Sequence, residues 1–170
     1  MLDREAIEGL LADLAVELQL RAVRGDMFVV GGAAMALAYS TRRATRDVDA
    51  VFEPKAIVYE AAAAVAERHD LPGDWLNDAV KGFLHGEDDA ATVAFEHPHL
   101  RVLVASPRYL LAMKLLAARV DVDQDDIVDL YARCGFTTAE EGLDLLSATY
   151  PAATIAPRVQ YLLEELFPSG

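Results

Sequence analysis

A glycine pair, Gly31-Gly32, directly follows the apolar run Met27-Phe28-Val29-Val30, and the pattern Asp47-Val48-Asp49-Ala50-Val51-Phe52 comes soon after it. Both runs are rich in β-formers and read as buried strands. Residues i and i+2 of a strand share a face, so Asp47 and Asp49 project together, roughly 7 Å apart along the strand. Carboxylates held that close repel each other unless a cation lies between them. Hard oxygen ligands of this kind suit Mg²⁺ or Mn²⁺, with phosphate oxygens completing the shell. Gly31 and Gly32 have no side chain to block an anion, and their amides open the next helix, which makes a phosphate seat. Taken singly, Asp-x-Asp also reads as a solvated strand face and Gly-Gly as a tight turn. Their succession at two strand ends favours a joint site.

Charge narrows the partners. The chain of 170 residues has 15 Lys+Arg against 28 Asp+Glu, a formal net charge of -13. A protein that coats DNA by charge alone needs a positive field, so DNA is not expected as a partner. Arg42, Arg43 and Arg46 form a local basic cluster between the two motifs. They suit a triphosphate or an acceptor phosphate; they equally balance Asp47 and Asp49, and Arg46 is the closest to the carboxylates. A single cysteine, Cys134, excludes an intrachain disulfide and a multi-cysteine zinc site. The charged start is not a signal peptide, and no apolar stretch is long enough to span a membrane. A cytoplasmic protein without membrane partners is expected.

The remaining pattern predicts one α/β domain with a helical C-terminal part. A helix is expected over residues 3–23, capped by Asp3, with Ile7, Leu10, Leu11, Leu14 and Leu18 on one face. A small-residue helix follows Gly31-Gly32, and an alanine-rich helix spans Lys55 to His69. Asp74 is expected to cap a short helix reaching about Phe83. Two antiparallel strands flank His97-Pro98-His99. Ser106-Pro107 starts a helix, and the chain is helical from there, with breaks near residues 120–124, 135–137 and 150–157. Thr138-x-x-Glu141 is a capping box. The α/β core is placed at about 24–105 and the helical part at about 106–170.

Other residues invite chemistry with less force. Lys114 is the only charge between Tyr109 and Ala118, on a helix apolar nearly all round, so it must reach water or an anion. Asp126 and Asp129 share a face of the following helix, and either can return to the lysine and the metal site. Asp121, Asp123 and Asp125 read as a solvated acid-rich helix start. An EF-hand is excluded, because its glycine and glutamate positions hold Asp126 and Ala132. Trp75 reads as a core or interface anchor, and His97 and His99 as turn residues. Asn77 and Lys81, one helical turn apart, offer a weaker approach to a nucleotide.

The succession Phe28-Val29-Val30-Gly31-Gly32-Ala33, a helix, then Thr45-Arg46-Asp47-Val48-Asp49 resembles the nucleotidyltransferase superfamily with the DNA polymerase β-like fold. The segment from Ala105 through Lys114 to Arg119, followed by Asp126-Ile127-Val128-Asp129-Leu130, resembles the AbiEii-like nucleotidyltransferases, toxins of abortive-infection and toxin–antitoxin systems. The likeness runs from about Phe28 to Leu130. It implies a small mixed twisted sheet flanked by helices. It implies NTP as substrate, its phosphates on Gly31 and Gly32, and Mg²⁺ on Asp47 and Asp49. Lys114 is implied beside the transferring phosphate, with Asp126 completing the acidic site. Superfamily members have a third carboxylate on a later strand; Leu100–Val104 carries Arg101 and no acid, so Glu96 or Asp126 is expected to supply it. The implied reaction moves a nucleoside monophosphate to an acceptor hydroxyl: an RNA 3′ end such as tRNA, a protein or a small molecule. A cognate antitoxin is an implied partner. A silent nucleotide- or partner-binding module of the same fold is the alternative.

Overall fold

The computed structural model describes residues 1–39 and 44–168, which form two compact units. The first comprises Met1–Gly82 and Asp89–Ala105. Its elements are α1 (Arg4–Leu20), β1 (Gly25–Val29), α2 (Gly31–Ala34), β2 (Val48–Glu53), α3 (Lys55–His69), β3 (Leu76–Asn77), β4 (Thr92–His97) and β5 (Leu100–Val104). A π-helical stretch, Met35–Tyr39, continues α2. Asp3 caps α1 by accepting from the Ala6 amide at 2.9 Å. The expected apolar stripe of α1 is buried from Ile7 to Leu18.

The sheet is mixed, in the order β3-β2-β1-β5-β4. β1 pairs antiparallel with β2 and parallel with β5, β2 parallel with β3, and β4 antiparallel with β5. Alternation sets its two faces. Met27, Val29, Val48, Ala50, Phe52, Val102 and Val104 are buried, and α1 packs against α3 and β5 in this unit. Asp26, Phe28, Asp49, Val51, Arg101 and Leu103 alternate with them and stay partly or fully exposed.

The expected helix after Asp74 is absent. Leu76 and Asn77 instead extend the sheet as β3, beside Val48 and Asp49, and a 3-10 turn follows at Ala79–Phe83. The outer edge of β2 needs hydrogen-bond partners, and the Val48 amide donates to the Trp75 carbonyl at 2.6 Å. Trp75 is a core anchor: it is buried, and its indole N–H donates to the Ala62 carbonyl at 2.9 Å.

The second unit comprises Phe83–Asp88 and Ser106–Gly170. It holds α4 (Pro107–Ala117), α5 (Val120–Cys134), α6 (Ala139–Thr149) and α7 (Pro157–Leu166). Ser106 caps α4 with Pro107 in the first turn, and both halves of the Thr138/Glu141 capping box form. The first break falls earlier than expected, at Ala118 and Arg119, so residues 120–124 are helical. Asp121 and Asp123 in the first turn of α5 favour that start through the helix dipole. No described helix is long and apolar enough to cross a membrane.

Candidate active site on the sheet

The antiparallel pairing of β1 and β2 brings the end of one strand beside the start of the other. Val29 lies opposite Ala50, and the Val30 amide donates to the Asp49 carbonyl at 3.0 Å. Gly31 and Gly32, which open α2, therefore meet the residues entering β2. Gly31 has φ +63, and a β-carbon there would lie 3.2 Å from Asp49 Oδ2. A β-carbon on Gly32 would lie 2.8 Å from Thr45 Oγ1 and 3.1 Å from Thr45 Cβ. Both glycines are thus favoured by close approach, and Gly31 also by its left-handed backbone. Asp47 precedes β2 by one residue, and Asn77 Nδ2 donates to its Oδ2 at 3.4 Å.

Asp47, Asp49, Gly31 and Gly32 are all half-buried. A carboxylate pair beside bare backbone is a hard-oxygen donor set that fits Mg²⁺ or Mn²⁺ with few protein ligands. Among the described residues no cluster of three or more His, Cys, Asp or Glu forms a metal site. Phosphate and water would have to fill the remaining positions. Arg46 is exposed next to the pair, whereas Arg42 and Arg43 lie outside the described residues.

Glu96 does not supply a third carboxylate. It pairs with Arg101, which pairs with Asp26, which pairs with Glu53, so it belongs to the far end of the sheet from Asp49. There its oxygens bond Arg24 at 3.0 Å and approach Arg101 at 3.5 Å.

That end of the sheet carries a cleft of about 320 Å³. Phe28, Val51 and Leu103 give it apolar wall, and Lys55, Lys81 and Arg101 line it with Asp26, Glu53 and Asp78. The sequence contains three lysines, Lys55, Lys81 and Lys114, so two of them line one cleft. Lys55 bonds Asp78, which raises the lysine's pKa and holds the carboxyl below its usual range. The Tyr59 hydroxyl also donates to Asp78, at 2.6 Å, and burial pushes its pKa up. Asn77 and Lys81 are not on one helix face, because Asn77 is in β3.

In the helical unit, Lys114 is buried and its Nζ lies 2.7 Å from Asp123 Oδ1 and 2.8 Å from Asp126 Oδ2. The expected return of Asp126 to the lysine is present. Asp123, however, is fully buried rather than solvated, and Arg119 reaches its other oxygen at 3.2 Å. Its place one turn before Ile127 on the inward face of α5 puts it under α4, which packs on α5. Asp129 points elsewhere and pairs with Arg133 at 2.9 Å. Burial raises the pKa of Cys134, which makes it a weaker nucleophile.

The two histidines are turn residues. His97 Nδ1 accepts from the His99 amide at 3.0 Å, and His99 Nδ1 bonds the Val23 carbonyl at 2.9 Å. His97 thereby holds the hairpin turn, and His99 ties it to the segment before β1.

Sequence reasoning undervalued Asn77, Thr45 and the Lys55–Asp78 pair. For Asn77 the missed signal was Trp-Leu-Asn after Pro-Gly, a short apolar run bounded by a turn, which fits an edge strand as well as a helix start.

No curated protein and no solved structure matches the chain. One family model matches residues 8–138, more than half of its length, and it covers β1, β2 and the segment from α4 to α5. The chain therefore belongs to the family described as "Nucleotidyltransferase of unknown function (DUF6036)".

Proposed function

We propose that this protein transfers a nucleoside monophosphate from an NTP to an acceptor hydroxyl. The observation that carries the reading is the contact of Gly31 and Gly32 with Asp49 and Thr45. It unites a phosphate seat and a carboxylate pair on one sheet. Gly31 and Gly32 admit the phosphates, and Asp47 and Asp49 hold Mg²⁺ or Mn²⁺. The ion's contribution is to neutralise phosphate charge and orient the attacking oxygen. The acceptor oxygen bonds to the α-phosphorus, the bond to the β-phosphate's bridging oxygen breaks, and pyrophosphate leaves. The hydroxyl proton passes to a carboxylate of the pair or to water.

The cleft runs along the same strand face from Val51 to Glu53, away from Asp49, and is our candidate for the part of the acceptor beyond its reacting hydroxyl. Its volume suits one nucleotide-sized or smaller group. Three cations, Lys55, Lys81 and Arg101, line it beside three acids, Asp26, Glu53 and Asp78, so it suits a group that can meet both charges. An RNA 3′ end such as tRNA is the acceptor favoured by the AbiEii-like resemblance, and a toxin role with a cognate antitoxin goes with it. Lys114 and Asp126 in that role belong to the same proposal. A silent nucleotide-binding module is the second reading, favoured by the absence of an acid along Leu100–Val104.

The test incubates the protein with each α-labelled NTP, Mg²⁺ and total RNA or lysate, and identifies the labelled species. Label on RNA, lost in Asp47→Asn and Asp49→Asn, supports the reading. NTP binding unaffected by Mg²⁺, with no pyrophosphate released, favours the silent module.

A further inference from the structure

We infer that Asn77 is the positioning residue of the carboxylate pair, standing where a third carboxylate would complete the site; this rests on the metal-dependent reading above. β3 lies along the outer edge of β2, with Asn77 in register beside Asp49. Residues paired in a ladder project from the same face, so the amide and the Asp49 carboxylate share one side. Two hydrogen bonds fix the amide. Its Oδ1 accepts from the Ala79 amide at 3.1 Å, and only an oxygen can accept from that N–H. Its Nδ2 is thereby turned toward Asp47 Oδ2, 3.4 Å away. The 3-10 turn that begins at Ala79 thus sets the orientation of a side chain at the site.

On its other side Asp49 faces the end of β1. There the Val30 amide meets the Asp49 carbonyl, and the next strand continues at Ala105, whose amide donates to Val29. Valine and alanine offer no side-chain ligand, so β3 is the neighbouring strand that can complete the site. It brings a neutral donor rather than an acid. Donation to Asp47 Oδ2 orients that carboxylate and leaves Oδ1 for a cation, and the pair keeps a formal charge of two rather than three. A divalent cation should then bind weakly alone and firmly only with the charge of a bound triphosphate.

The experiment compares wild type, Asn77→Asp, Asn77→Ala and Asp47→Asn. Free Mn²⁺ is followed by its electron paramagnetic resonance signal, with and without a non-hydrolysable NTP, and melting is recorded with and without Mn²⁺. Asn77→Asp keeps the acceptor for Ala79 and adds a third carboxylate. It should bind Mn²⁺ alone about tenfold tighter than wild type. It should melt lower without Mn²⁺ and recover with it. Asn77→Ala should weaken Mn²⁺–NTP binding about tenfold, as loss of a ligand-orienting partner does. If Asp47→Asn abolishes binding while both Asn77 variants match wild type, the inference is overturned and the two-carboxylate reading stands. If wild type binds no Mn²⁺ with or without NTP, both fall.

Discussion

Asp49 Oδ2 lies 3.2 Å from the point a β-carbon on Gly31 would occupy. The carboxylate therefore rests over bare backbone, and a methyl at position 31 would push it back by a few tenths of an ångström and strain the left-handed backbone. Thr45 does the same to Gly32, closer still. This packing ties the two sequence motifs into one structural unit.

Gly32→Ala should destabilise the protein by about 1–3 kcal/mol, the usual cost of forcing a methyl into a filled space. Thr45→Ala removes the nearest atom, Oγ1. The double variant should recover at least about 0.5 kcal/mol relative to additivity, as expected of residues in contact. Urea unfolding of the four proteins measures this coupling; strict additivity would show that the contact is not made.

Gly31→Ala combines the left-handed strain, about 1–2 kcal/mol, with displacement of Asp49. Its effect on transfer should exceed its effect on stability. The comparison is the loss of labelled product against the loss of unfolding free energy at the same temperature.

Lys114→Met should cost about 3–5 kcal/mol of stability, because it leaves Asp123 and Asp126 buried without their shared cation. Lys114→Met combined with Asp123→Asn and Asp126→Asn should recover much of that loss. Denaturant midpoints test both statements. Transfer activity that survives in the triple variant would make the cluster a fastening of α4 to α5 and nothing more.

Glu17 predicts an acid limb. Its carboxyl is held below the ordinary value of 4.5, first by the hydrogen bond from Arg21 at 2.6 Å and further by Arg68, against burial that pushes it up. A depressed carboxyl stabilises the fold above pH 4.5, and that contribution disappears as pH falls through the folded value. Both arginines are partly exposed, so Glu17→Gln should cost only about 1 kcal/mol at pH 7. Unfolding measured at pH 7 and at pH 3 should show a smaller acid loss in Glu17→Gln than in wild type.

Gly142 sits against the buried Tyr131 hydroxyl, where a β-carbon would overlap the phenol. Tyr131 is stacked on Phe167 at 3.8 Å and cannot retreat freely. Gly142→Ala should cost about 1–3 kcal/mol, and Tyr131→Phe should relieve part of it. Burial also pushes the Tyr131 pKa up to about 12. Its ultraviolet ionisation signal should therefore appear only in strong alkali or on unfolding.

The amino-acid sequence alone determined what depends on neighbours in the chain. Runs of β-formers marked β1 and β2, the His97-Pro98-His99 turn marked β4 and β5, capping residues marked the starts of α1, α4 and α6, and Gly31-Gly32 and Asp47-x-Asp49 stood out by residue type and spacing. Lys114 was legible as a charge in need of an anion, because its own helix offers none. Which anion it finds was decided by how α5 packs on α4, since that rotation buries Asp123 as well as Asp126. Trp75-Leu76-Asn77 is too short for periodicity to speak, so only the free edge of β2 made it a strand and put Asn77 beside Asp49. Lys55, Lys81 and Arg101 are far apart in sequence and share a cleft only once the sheet register is set. Glu96 was misplaced for the same reason: strand order and register are long-range properties, and no local pattern carries them.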